Sequence, residues 1–230
     1  MIPDQPSRRP RLNPEKVHVA AVVALWTTAG VTLAVLAAII VFILVHGLPM
    51  LTPEFLLAQP ESMGRAGGIF PTIVGTLALT AVALAIATPL GVGTAIYLNE
   101  YSRGGRAAAA IRFGVDCLAG VPSIIFGLFG FIFFVIYLKM GWSVLSGGLT
   151  LAVMVLPTIM RTAEEALRAV PASYRQVSFA TGATTWQTVT RVVLPVALPG
   201  TVTGIVLSIG RCVGETAAVI FTAGTALRLP

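Results

Sequence analysis

Charge is scarce in this chain: 10% of its 230 residues are Asp, Glu, Lys or Arg, while 56% are apolar. An average soluble domain is about a quarter charged, so a water-soluble fold of this size could not cover itself. Only two cysteines are present, Cys117 and Cys212, both in apolar segments, which leaves no disulfide framework and no ligand cluster. Both read as small packing residues. His18 and His46 are too few and too far apart for a histidine-based metal site, and no Ser-His-Asp set can be assembled from such residues. The only lysines, Lys16 and Lys139, follow no glycine loop, and the phosphate-cradling pattern Gly-x-x-x-x-Gly-Lys-Ser/Thr is missing. No repeat at a solenoid or propeller period is visible. The sequence therefore offers no catalytic machinery of its own and calls for no cofactor.

The apolar residues come in runs long enough to cross a bilayer, which takes roughly 20 residues per helix. Spans are expected near 19–46, 69–98, 112–138, 144–162 and 190–224, within a membrane domain of residues 17–230. Residues 1–16, with Pro3, Pro6, Pro10 and Pro14, read as a disordered tail. The apolar run from Val17 to Val45 is too long for the core of a secretory signal, so the first span is expected to stay attached.

A net charge of +6 would suggest a nucleic-acid partner in a soluble protein, but here the basic residues sit in the loops. With the tail in the cytoplasm, that side receives eleven of them: Arg8, Arg9, Arg11, Lys16, Arg103, Arg106, Arg112, Arg161, Arg168, Arg175 and Arg191. The other side receives three, Arg65, Lys139 and Arg228, and Arg211 lies within a span. This positive-inside bias places the N-terminus in the cytoplasm and implies a lipid partner rather than a nucleic acid.

The single long cytoplasmic connection runs from Thr162 to about Thr190. Pro171 opens a short helix there, Ser173 and Gln176 have capping-box spacing, and Gly182 supplies the residue most often found past a helix C-terminus. Thr184 and Gln187 repeat the box, starting a second short helix that runs to Leu194 and Pro195. Val177, Phe179, Ala180 and Trp186 are apolar in a segment that should face the cytosol. Either they pack on the chain's own helix ends or they form a partner surface.

The pattern Gln176-Val177-Ser178-Phe179-Ala180-Thr181-Gly182, nine residues, then Val192-Val193-Leu194-Pro195 resembles the EAA loop of ABC-importer permeases. That loop reads Glu-Ala-Ala, three residues, Gly, nine residues, Ile-x-Leu-Pro. Here the glycine, the spacing and Leu194-Pro195 are kept, while Gln176, Val177, Ser178 and Val192 depart from it. The resemblance implies that residues 171–195 are the coupling helices that dock on a separate ATP-binding subunit.

Within the apolar spans the ionisable residues are Asp116, Arg211 and Glu215. Buried charge in a bilayer costs about 2.5 to 3.5 kcal/mol on insertion scales, so such positions are functional candidates. Asp116 lies near a span end, within reach of water. Arg211 and Glu215 are four apart, as for one helical face. They read either as a structural ion pair or as a site where Arg211 offers its planar fork of donors to a passing oxyanion, with Glu215 holding it between cycles.

Arg211-Cys212-Val213-Gly214-Glu215-Thr216-Ala217 is similar to a segment of phosphate-importer permeases. So is the stretch from Gly120 to Gly130, with Pro122, Ser123 and Gly127. Gly68 to Thr76 resembles the A-type (PstA) permeases in particular. Together with the EAA-like loop this covers most of residues 65–224. It implies an all-α, polytopic membrane protein, a type I (MetI-like) permease bundle with cytoplasmic coupling helices, in a bacterial inner membrane. It further implies a second permease of the C type (PstC), a pair of ATP-binding subunits and an extracytoplasmic phosphate-binding protein. Arg211, Glu215 and Thr216 would line the path of inorganic phosphate. The family's sixth span is not among the five seen. Gly120, Gly127, Gly130 and Ser123 suit close helix packing, and Pro122 can break its helix at a cavity. The rival readings are a permease for sulfate or molybdate, whose families tend toward Gly-Glu-Phe-Gly at residues 214–217, and a channel or secondary transporter working without ATP.

Overall fold

The computed structural model describes residues 14–61, 66–102 and 104–224. The tail of residues 1–13, Arg65, Arg103 and Arg228 lie outside them. The chain divides into two units at Leu56 and Leu57.

In the first unit, α1 (Pro14–Gly47) is a 34-residue helix, so Pro14 to Lys16 are helical, not part of a disordered tail. Pro14 fits the first turn, where its missing N–H has no intrahelical partner to lose. Every described side chain of α1 is exposed. A helix apolar on all sides is suited to a surround of lipid. Thr27, Thr28 and Thr32 return their hydroxyls to carbonyls four residues back, at 2.7 to 2.8 Å. A short 3-10 turn, Leu48–Met50, follows, and α2 (Pro53–Leu57) crosses the division.

The second unit opens with a two-residue antiparallel pair, Pro60–Glu61 against Ala66–Gly67. Then come α3 (Phe70–Ile96), prolonged by a π turn at Tyr97–Tyr101, and α4 (Arg106–Ala119). α5 (Ser123–Gly130) continues as a π segment at Phe131–Tyr137, and α6 spans Val144–Ala169. α7 (Ala172–Ala180) and α8 (Thr185–Thr188) form the helix pair. A π turn at Val189–Val193 leads from α8 into α9 (Leu194–Val213), and α10 (Ala217–Thr222) ends the described chain.

α6 is the axis of this unit. Its N-terminus is closed by a reciprocal box between Ser143 and Ser146, and Ser146 Oγ also donates to the Thr222 carbonyl at 2.8 Å. Leu151, Met154, Val155 and Ile159 meet Ala83 and Ala87 of α3 and Cys212 of α9 in one apolar core. Met160, Ala163 and Leu167 meet Ala95, Leu98, Val193 and Ala197 in a second, toward the end that carries α7. Glycine allows the closest approaches. A methyl built on Gly127 would stand 2.9 Å from Ala218 Cα, and one on Gly200 2.7 Å from Ala166 Cβ. Gly130 is likewise tight against Thr150, whereas a methyl on Gly120 would meet nothing nearer than 3.6 Å. Close packing therefore does not require glycine at 120.

Among the described residues four helical runs are long and apolar enough to cross a bilayer: 15–50, 70–101, 144–169 and 185–213. The expected span at 112–138 is a pair, 106–119 and 123–137, bent by 103°. Pro122 cannot donate and keeps the residue before it out of the helical region, so one helix stops at Ala119 and another begins at Ser123. The expected span at 190–224 is also interrupted, at residues 214–216. α6 reaches Ala169, seven residues past its expected end. Cys212 is buried, as a packing residue should be, but Cys117 is exposed on α4.

Candidate functional site

The helix pair is built by its turns. Proline at 171 sits at the N-cap of α7 with no side-chain cap, and Ser173 lies inside the helix, so the expected Ser173–Gln176 box does not form. The helix starts two residues too early for it: Ser173 is in the first turn, not at the cap. At the other end Gly182 adopts φ +83°, the left-handed conformation that glycine reaches without strain. Gly182 N donates to the Phe179 carbonyl at 2.9 Å and Ala183 N to the Ser178 carbonyl at 3.3 Å, closing α7 with a Schellman motif. The Thr184–Gln187 box is present, at 2.9 and 3.3 Å.

A buried bond between Ser178 Oγ and Thr188 Oγ1, 2.8 Å long, ties α7 to α8. Thr188 had no signal in the sequence, since its partner lies ten residues away across a turn. The second helix of the pair does not end at Leu194 and Pro195. It runs on through the π turn into α9, making one helical stretch from Thr185 to Val213. The π turn spans the residue four before Pro195, Arg191, and its wider backbone spacing accommodates the proline ring where an α-turn would clash.

Of the residues singled out in this segment, Gln176, Val177, Phe179, Ala180, Gly182 and Pro195 are exposed, Leu194 is half-buried and Ser178 is buried. Exposure rules out the first of the two readings of the apolar ones. Val177 and Trp186 are each 65% exposed, and Phe179 and Tyr174 each 47%, so they do not pack on the chain's own helix ends. They leave apolar surface uncovered on a helix pair whose turn is closed by the Schellman motif and the Thr184–Gln187 box.

The same end of the unit carries a polar network that the sequence did not announce. Arg175 of α7 forks onto Glu100 in the π turn after α3, with contacts of 2.6 to 3.1 Å. Glu164 of α6, 10% exposed at its side chain, accepts from Arg112 at 2.9 Å and from Arg168. Asn99 donates to the Glu164 carbonyl at 3.4 Å. Asp116 is exposed, as its place near a span end suggests, and it pairs with Arg161, which is exposed too. Arg112, Asp116, Arg161, Glu164 and Arg168 border a cleft of about 270 Å³ between α4 and α6. Of all these pairs only Glu164 and Arg168, four apart on one helix, had a spacing that could have been read beforehand.

Arg211 and Glu215 are not brought together. α9 ends at Val213, and Gly214 and Glu215 lie in the turn beyond it. The Glu215 carboxylate instead accepts from Ala218 N at 3.3 Å, in the first turn of α10. No ion pair joins the two among the described residues, because the chain leaves the helical face before reaching Glu215. Arg211 is exposed in the last turn of α9, and exposed Thr216 stands at the N-cap of α10.

Long apolar helices packed around α6, two of them broken, define a polytopic α-helical membrane protein. Residues 87–230 match the family described as binding-protein-dependent transport system inner membrane component, and the chain belongs to that family. It is 34% identical over 199 residues to the probable ABC transporter permease protein YqgI of Bacillus subtilis (strain 168), covering 85% of this chain and 68% of that one. It is 45% identical over 159 residues to the phosphate transport system permease protein PstA 1 of Mycobacterium tuberculosis (strain CDC 1551 / Oshkosh), covering 69% of this chain and 52% of that one. With the Mycobacterium leprae (strain TN) phosphate transport system permease protein PstA it shares 42% identity over 72% of this chain and 54% of the relative. The chain thus spans about half the length of these phosphate-system relatives. A solved structure of the MetNI methionine ABC transporter in an inward-facing conformation aligns with a TM-score of 0.52 and 27% identity, over 64% of this chain and 68% of that one. The fold is a MetI-like permease bundle.

Proposed function

We propose that this chain is a permease subunit of an ATP-driven importer of inorganic phosphate, forming the membrane path together with a second permease of the C type. The observation that carries the reading is the exposed patch of Val177, Phe179 and Trp186 on the capped pair α7 and α8. A solvent-facing apolar surface on a support this stiff suits a partner that must push, and the EAA-like spacing suits an ATP-binding subunit pair. Hydrolysis belongs to that pair. This chain supplies docking elements and path, with α7 and the N-terminus on the cytoplasmic side of a bacterial inner membrane and a phosphate-binding protein delivering solute from the other. The names of the PstA relatives favour phosphate over sulfate or molybdate, as does Gly214-Glu215-Thr216-Ala217.

In this reading Arg211 presents its donors to the anion from the exposed side of α9. Since Glu215 is turned to α10 and no described residue pairs with Arg211, its charge is met by the partner permease or by the passing anion. Thr216, exposed at the N-cap of α10, has a hydroxyl able to donate. The experiment is phosphate uptake into proteoliposomes holding the full complex. Arg211→Ala is expected to cut uptake at least about tenfold with assembly intact, the loss of one charged hydrogen bond. Wild-type uptake by that variant overturns the role of Arg211, and wild-type vesicles that accumulate phosphate equally without ATP overturn the importer.

A further inference from the structure

α7 is held almost wholly by polar contacts. Ser178 is its one buried residue, bonded to Thr188, so no apolar side chain of α7 enters the core. Its other anchor is Arg175. Nε of Arg175 donates to the Glu100 carboxylate at 3.0 and 3.1 Å, and Nη2 donates to Oε1 at 2.6 Å. Nη2 also donates to the Leu167 carbonyl and Nη1 to the Val170 carbonyl, both at 2.9 Å. Glu100 sits in the π turn that ends α3, and Leu167 and Val170 mark the C-terminal end of α6, where carbonyls lack partners four residues on and the Leu167 carbonyl takes only a long bond from Val170 N, 3.4 Å. One guanidinium therefore joins three elements. The side chains are 21% and 6% exposed, so solvent screens the pair only weakly. A lysine, with a single ammonium in place of a planar fork, could not serve the carboxylate and both carbonyls in the same geometry.

The geometry points to Arg175 with Glu100 as the joint through which movement of α7 reaches α3 and α6, the second route being α8 into α9. Arg175 is a positioning residue for coupling, and the inference rests on α7 and α8 being the elements that meet the ATP-binding subunits. Because no side chain of α7 belongs to the apolar cores of α3, α6 and α9, breaking the joint frees α7 and leaves the bundle folded.

Two measurements test this. The first is hydrogen exchange on the full chain in nanodiscs of phosphatidylethanolamine and phosphatidylglycerol. In Arg175→Gln the amides of residues 172–180 are expected to exchange at least about tenfold faster while those of 151–163 keep their protection. Unchanged exchange in 172–180 overturns the joint, as does uniform loss of protection. This arm reads one chain alone and so decides the joint even if the importer reading fails. The second uses the assembled transporter in proteoliposomes and compares solute moved per ATP hydrolysed. Arg175→Gln is expected to lower that ratio with hydrolysis retained, and Arg175→Lys to recover it only in part. The double variant Arg175→Gln with Glu100→Gln should be no worse than Arg175→Gln, since the orphaned carboxylate is gone. Additive losses, or hydrolysis and uptake falling in step, count against the joint.

Discussion

Gly182, in the turn between α7 and α8, is where the coupling role of that pair is most exposed to test, because the cost of replacing it comes from one physical source. Its φ is +83°, and a Cβ added there would meet nothing within 4 Å. Steric volume therefore contributes nothing, and the whole cost is the left-handed backbone. For ordinary residues that conformation costs roughly 1–2 kcal/mol, less for asparagine and more for a β-branched side chain. The two Schellman bonds, Gly182 N to Phe179 and Ala183 N to Ser178, are what that cost opposes. A change of 1–2 kcal/mol shifts a two-state population by about 5- to 30-fold. The tight turn between α7 and α8 is thus expected to be barely disturbed in Gly182→Asn, weakened in Gly182→Ala and Gly182→Leu alike, and most often open in Gly182→Val. The assay is solute moved per ATP hydrolysed, together with exchange of the Ala183 amide, which should rise in the same order. If Gly182→Leu is far worse than Gly182→Ala, volume matters and the turn is covered. If Gly182→Val matches Gly182→Asn, the reasoning from backbone conformation is wrong.

Other expectations follow from packing. Gly127→Ala forces a methyl to 2.9 Å from Ala218 Cα and 3.0 Å from the Phe221 ring; the backbone cannot yield, so about 1–3 kcal/mol should be lost in denaturant or thermal unfolding in detergent. Gly93→Ala, with nothing within 4 Å of the new methyl, is the control and should be neutral or stabilising by up to ~1 kcal/mol through helix propensity. Ile159→Ala, at a side chain 0% exposed in the core around α6, should cost about 2–5 kcal/mol and lower the melting temperature without changing which subunits co-purify.

Much of the molecule was legible in the primary structure because bilayer and turn chemistry act locally. Span existence follows from apolar runs, and α3 begins within a residue of its expected start. Gly182 and the Thr184–Gln187 box were readable because a positive φ and a side-chain cap depend on residues three or four apart. The Ser173–Gln176 box failed for the same local reason: a cap requires its residue at one position, and Pro171 took it.

What composition could not decide was which charges meet. Arg211 and Glu215 have the spacing of a helical pair, but a turn at residues 214–216 separates them. Arg175 and Glu100, 75 residues apart, and Arg112 and Glu164, 52 apart, have no spacing to read and are joined by the packing of α3, α4 and α6. The continuity of α8 with α9 likewise emerges only when a π turn makes room for Pro195.

The sequence by itself determined a membrane-embedded chain with an apolar, capped element outside the apolar spans, since hydrophobic run length, breakers and caps act within a few residues. The tertiary structure decided how that element is attached, because ion-pair energy depends on distance and burial, which only the folded arrangement of α3, α6 and α7 supplies.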